Sequence, residues 1–193
     1  MSNEEFNSIK RRKRTGNFLL LYRLQTLEIP VPVKQKMSEF ESLQNKLIDI
    51  IFSLPKDACV TFYSGMAMGF DIIAAESVLL LKRAGRNVRL VCVLPFEGQG
   101  DGFSEPWHSR YNKIIENADE IVVMSKEYYK GCYFKRNAFL VDNSDYVITW
   151  YDGKPGGTAS TLKYAEKKGR RIINLYDGRM SSICKEIQTA IGF

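Results

Sequence analysis

Two short glycine-bearing stretches hold the residues best suited to chemistry, SGMAMGFD over residues 64–71 and DGKPGGT over residues 152–158. Each follows an apolar, β-branched run and leads into a segment of helical character. Exposed N–H groups and the positive end of a helix dipole make such a place an anion site. Gly65, Ala67 and Gly69 open the first backbone, and Pro155, Gly156 and Gly157 the second. A phosphate reaches N–H groups only where no Cβ obstructs it. Thr158 adds a hydroxyl at the start of its helix, and Asp71 either caps free N–H groups or accepts from a ligand hydroxyl. Arg136 and Asn137 open a further helix, where the guanidinium pairs with a phosphate or with a carboxylate such as Asp71. Each feature has a plainer counterpart: a tight turn that needs glycine for geometry, with Asp71 and Asn137 as helix caps. Two turns at equivalent ends of separate strands weigh more than one. No GK[ST] follows either turn, so neither is a Walker A loop, and the first lacks the glycine spacing of a dinucleotide fingerprint.

Other chemistries are poorly supplied. His108 is the only histidine, which excludes a histidine-clustered metal site and counts against a Ser–His–Asp triad. Asp142 and Asp145 lack companions at ligand spacing and read as turn and cap residues, so no metal is expected. Cys59, Cys92, Cys132 and Cys184 are widely spaced with no CxxC pair, which argues against a disulfide framework or zinc and for a reducing cytosol. Trp107, Tyr111, Tyr128, Tyr129 and Tyr133 either stack on a base or pack on the domain.

The elements that must position these residues alternate. Lys34–Leu54 carries apolar residues at helical spacing and stops at Pro55. Cys59–Tyr63, Val88–Leu94, Glu120–Met124, Asp145–Tyr151 and Arg171–Tyr176 read as strands, and Phe18–Leu24 as a further one. Between them lie helical segments after Gly69, over Trp107–Asn117, Asn137–Asn143 and Thr158–Lys168, with a last helix at Ser181–Ile191. This order implies an α/β domain with a mainly parallel sheet and helices on both faces, ligands binding outside the carboxyl ends of the strands. Residues 1–16 form a basic segment, expected to be loose, and residues 17–193 one domain. The net charge of +6 rests largely on the run Lys10–Arg14, more often a solvated tail than an arm on phosphates. The run FLLLY is cut short by Arg23 and Gln25, so no secretory signal is expected, and nothing reaches the length of a membrane span.

Taken in order, GMAMGFD with Ala75-Glu76, VLPF at Val93–Phe96, RN at residues 136–137 with VDNSDYVI, and DGKPGGT with a helix ending KKGR resemble the YpsA-like proteins of the SLOG superfamily. These are Rossmann-like domains related to LOG hydrolases and to the DNA-uptake protein DprA. The resemblance spans about Cys59 to Tyr176 and implies a three-layer fold with a nucleotide pocket at the strand ends. It carries ligand contacts onto Ser64, Gly65, Met66, Gly69, Asp71, Arg136, Asn137, Gly156, Gly157 and Thr158. Pro95, Phe96, Trp107, Arg110 and Tyr111 would line the pocket. Two departures stand out. The family's TGHRP-like turn is replaced by Thr15-Gly16-Asn17-Phe18, preceded by basic rather than apolar residues. Where LOG hydrolases have PGGxGTxxE, the glutamate position falls on Thr161, leaving only Glu76 as a substitute acid.

The resulting expectation is a cytosolic binding module that senses or carries a nucleotide, ADP-ribose or an NAD-type ligand, with a homodimer as the oligomeric state its relatives suggest. The alternatives are an N-glycosidase acting on a nucleotide through Glu76, and a DprA-like binder of single-stranded DNA using the basic arm and the tyrosines.

Overall fold

The computed structural model describes residues 15–22, 33–54 and 59–177. The basic run, the last expected helix and Cys184 lie outside the described residues. Among the described residues six strands form one wholly parallel sheet in the order β4-β3-β2-β1-β5-β6. They are β1 (Thr15–Tyr22), β2 (Cys59–Ser64), β3 (Val88–Leu94), β4 (Glu120–Val123), β5 (Tyr146–Trp150) and β6 (Arg171–Asn174). The helices are α1 (Val33–Ser53), α2 (Phe70–Arg83), α3 (Trp107–Asn117), α4 (Cys132–Asp142) and α5 (Gly157–Lys167).

Handedness decides the layers. Successive crossovers from β1 to β4 step one way across the sheet and put α1, α2 and α3 on one face; the return past β1 puts α4 and α5 on the other. Two buried clusters follow. Leu43, Leu47, Ile50 and Ile51 of α1, most of α2, and Tyr111 and Ile114 of α3 pack on Phe62, Leu90 and Ile148. On the far face Leu140, Val141, Leu162 and Ala165 close over Val91, Val93 and Val147. β3 and β5 read as near-continuous apolar runs because both their faces are covered, as parallel strands require. Covering the middle of its face, α2 is buried over ten of its 14 residues, and its Ser77 hydroxyl bonds the Ile73 carbonyl at 2.8 Å instead of water.

The structure moves three sequence boundaries. β1 begins at Thr15, paired with Cys59, so Thr15 and Gly16 open the strand at its amino end and are not a turn beyond its carboxyl end. α4 starts at Cys132, not Asn137: Gly131 supplies its cap, and Arg136 and Asn137 lie in its second turn. β6 ends at Asn174 and passes into a 3-10 turn over Leu175–Asp177. There the Asn174 side chain accepts from the Tyr151 and Tyr176 N–H groups and donates to the Tyr151 carbonyl, replacing the ladder.

Candidate functional site

β2 and β5 are the two neighbours of β1, and the strand order reverses there. Gly65 follows β2 directly and Gly157 opens α5 beyond β5, so both turns stand at the carboxyl rim, one on each side of β1. An open parallel sheet places its ligand crevice at this switch point. Thr15 and Gly16 are at the opposite rim and contribute nothing to it.

The first turn is held in an unfavourable shape. Met66, fully buried, has φ of 56°, a left-handed conformation that costs a side-chain-bearing residue free energy. Three bonds enforce it. The Met66 N–H donates to Ser64 Oγ at 3.1 Å, and Gln99 Nε2 donates to the Gly65 and Met66 carbonyls at 3.2 and 3.1 Å. Gly69 then turns the chain into α2 at φ of 101°, open to glycine without strain. Asp71, 2% exposed, accepts the Ala67 N–H on Oδ2 at 3.2 Å, while Ser64 Oγ donates to the Asp71 carbonyl. Its carboxylate thus braces the turn.

Beneath Gly65 lies Arg136, 5% exposed, with Nη1 donating to the Gly65 carbonyl. A Cβ on Gly65 would stand 2.4 Å from Arg136 Nη1, 2.7 Å from Cζ and 3.0 Å from Asp71 Oδ2. The chain's own guanidinium therefore takes the space that a missing Cβ leaves. Burial lowers the Arg136 pKa and the facing Asp71 carboxylate opposes this; an arginine keeps its charge nonetheless.

A polar relay runs from this guanidinium to the second turn. Arg136 Nε donates to Asn137 Oδ1 at 2.7 Å, Asn137 Nδ2 to Thr161 Oγ1 at 2.9 Å, and Thr161 Oγ1 to the Gly157 carbonyl at 2.9 Å. Residues 65, 136–137, 161 and 157 are thereby one connected unit. Gly156 and Gly157 are exposed, Thr158 is buried, and nothing lies within 4 Å of a Cβ built on Gly157. The first N–H groups of α5 have no intrahelical acceptor, as in any helix.

The remaining expected residues divide. Pro95 is buried and Phe96 half-buried at the end of β3, on the same rim. Trp107, Arg110 and Tyr111 serve the packing of α3 on α2. Arg110 makes a two-pronged ion pair with Glu76, with Nε to Oε1 at 2.8 Å, and lies over the Trp107 ring at 4.6 Å. Tyr111 meets Phe103 edge-on at 5.5 Å, and burial, with smaller contributions from Cys92 and Asp101, pushes its hydroxyl up to about 12. Glu76 is thus committed to a brace about 7.5 Å along α2 from Asp71. Thr161, at the position of the LOG glutamate, is buried in the relay. Sequence reading missed Gln99; its only signal is its place between Gly98 and Gly100 in the loop after β3. Cys59, Cys92 and Cys132 are free thiols. Among the described residues no group of three His, Cys, Asp or Glu side chains could hold a metal, and no helix is long and apolar enough to cross a membrane.

A six-stranded parallel sheet with helices on both faces and glycine turns at its switch point defines a Rossmann-like α/β domain. Within that class the chain belongs to the YspA SLOG family, whose model matches residues 22–177. It is 28% identical over 138 residues to the uncharacterized SPbeta prophage-derived protein YoqJ of Bacillus subtilis, covering 65% of this chain and 81% of that protein. It is 31% identical over 121 residues to the UPF0398 protein BH1768 of Halalkalibacterium halodurans, covering 61% and 64%. Among solved structures, DNA processing protein A of Streptococcus pneumoniae superposes with a TM-score of 0.53 at 17% identity, over 92% of this chain and 57% of that one. The Helicobacter pylori protein of that name, described by its single-stranded DNA binding mode, gives 0.53 at 19%, over 81% and 63%. The chain thus spans less than two thirds of the length of either, and the likeness is one of fold.

Proposed function

We propose that this domain binds a nucleotide-type small molecule at the carboxyl rim of its sheet, as a sensor or carrier. The observation that carries the reading is the pair of glycine turns flanking β1 at the strand-order switch, one of them, at Gly156 and Gly157, exposed and open. In this reading the first N–H groups of α5 receive the phosphate. Arg136 holds the first turn from below, its positive charge offset by the facing Asp71 carboxylate. Ala67 to Gly69, only partly buried, form the facing wall. Glu76, bound to Arg110, is assigned no hydrolytic step.

A thermal-shift panel of mononucleotides, ADP-ribose and NAD tests the reading. Binding stabilises by RT ln(1 + [L]/Kd), about 2.7 kcal/mol at 100 Kd, which raises the melting temperature of a chain this size by roughly 5–10 °C. Absence of any shift at millimolar ligand contradicts it.

A further inference from the structure

Three aromatic rings from three separate segments meet beside the first glycine turn. Phe96 follows β3, Tyr128 lies in the loop after β4, and Tyr133 is in the first turn of α4. The Phe96 ring stands edge-on to both tyrosines, at 5.5 Å and 85° from Tyr128 and 6.0 Å and 80° from Tyr133. The two tyrosine rings are 6.3 Å apart and inclined at 57°. Tyr128 is 63% exposed and Tyr133 45%, so their outer faces are in solvent. Burying aromatic faces is favourable, and a folded chain leaves few such rings clustered in water without use.

The arrangement is fixed before any guest arrives. The Glu97 N–H donates to the Ser125 carbonyl at 3.1 Å and Met124 N–H to the Leu94 carbonyl at 2.9 Å, tying the loops after β3 and β4 together. The Cys132 N–H donates to the Tyr129 carbonyl at 3.1 Å and seats the start of α4 against the same loop. Tyr133 and Arg136 are three residues apart on α4 and share a face; the guanidinium carbon lies 5.8 Å from the Tyr133 ring centre. That same guanidinium bonds Gly65. The aromatic cluster and the glycine turn are thus two sides of one arginine.

The half-buried Trp150 and Trp107 lie under the chain's own cations, as Tyr133 lies beside Arg136. Lys46 Nζ sits 5.0 Å over Trp150, beside Tyr176, and Arg110 lies 4.6 Å over Trp107. Among the described residues no cation lies over Phe96 or Tyr128. Lys126, Lys130 and Lys135, and the acids Glu97 and Glu127, are exposed on the segments that carry the three rings.

The geometry points to Phe96, Tyr128 and Tyr133 as a base-stacking subsite that seats the nucleobase of a ligand whose phosphate lies toward the glycine turns. This rests on the binding reading above and adds which part of the ligand is recognised and where. Stacking is tolerant of base identity because every base has a π-face, so the subsite selects for the presence of a base and not for its kind.

Calorimetric titration with AMP, GMP, CMP and UMP against ribose 5-phosphate, which keeps the sugar and phosphate but lacks the base, separates the two readings. The mononucleotides are expected to bind roughly tenfold or more tighter than ribose 5-phosphate, the range of one stacked base. Tyr128→Leu and Tyr133→Leu keep apolar area but remove the ring; each is expected to erase most of that difference and leave ribose 5-phosphate affinity unchanged. Their thermal melting is expected to match the native chain because both side chains are exposed. Equal affinity for mononucleotides and ribose 5-phosphate, or mononucleotide binding indifferent to both substitutions, overturns the stacking subsite and leaves the phosphate cradle standing. No binding by any of the five compounds overturns the stacking subsite, and overturns the cradle as well when ADP-ribose and NAD also fail to bind. A short oligothymidylate added as a further arm, at low and moderate salt, identifies the source of the base. Binding that falls steeply with salt and depends on Tyr133 marks a single strand; indifference to the oligomer marks a free nucleotide.

Discussion

Gly65 and Gly157 stand at one rim on opposite sides of β1, yet they lack a Cβ for different reasons. Around Gly65 the reason is internal. Arg136 and Asp71 fill the volume a methyl group would need, and the turn is closed from within by Ser64 and Gln99. Around Gly157 there is no internal reason, since the space is empty and the residue is exposed. A glycine demanded by the fold and a glycine left free by it look alike in sequence. The first turn is scaffold with a buried charge beneath it; the second is surface left accessible, and the relay through Asn137 and Thr161 holds the two in fixed relation.

Substitutions separate these roles. Arg136→Ala strips a buried cation from Asp71 and a donor from the Gly65 carbonyl, and is expected to cost about 3–5 kcal/mol in urea unfolding. A cost below about 1 kcal/mol would deny the guanidinium its part in the scaffold. Gly65→Ala forces the buried guanidinium to move and is expected to cost about 1–3 kcal/mol, with a lower melting temperature. Thr161→Val removes the hydroxyl that joins Asn137 to Gly157, leaving a donor without its acceptor, at an expected cost of about 1–2 kcal/mol. Gly157→Ala meets no neighbour and lies in a helix, so it is expected to be neutral or stabilising by up to about 1 kcal/mol. If Gly65→Ala and Gly157→Ala were to destabilise equally, the contrast between the turns would be lost.

Much of the scaffold was legible in the residues. Val88–Leu94 and Trp107–Asn117 carry their limits plainly, the first as an apolar run interrupted by Arg89 alone and the second between a proline-bearing loop and Asn117. The start of α4 was hidden because its buried stripe is Cys132, Arg136 and Leu140, a helical spacing with a charged residue at its centre. Read as a polar residue, Arg136 breaks the pattern; in the structure Asp71 and Gly65, distant in sequence, are what permit it inside. Thr15-Gly16 shows a related limit. The dipeptide suits a turn, but pairing with Cys59 and Val60 gives it a strand's place, which local pattern does not encode. The crossing of α4 to the far face, which brings residue 136 under residue 65, belongs to topology and leaves no local mark. Both glycine turns were evident in sequence; their division into scaffold and open surface required neighbours at long range.

The most direct measurement of the central claim is a calorimetric titration of the native chain and of Gly157→Ala with AMP, ADP-ribose and NAD, alongside the melting temperature of each unliganded protein. The account predicts that the native chain binds at least one of these compounds. In Gly157→Ala the affinity for it is expected to fall about tenfold or more, equivalent to about 1.4 kcal/mol, while the unliganded melting temperature stays equal or rises. Undiminished affinity in Gly157→Ala, or no heat of binding from the native chain with any of the three, would contradict it.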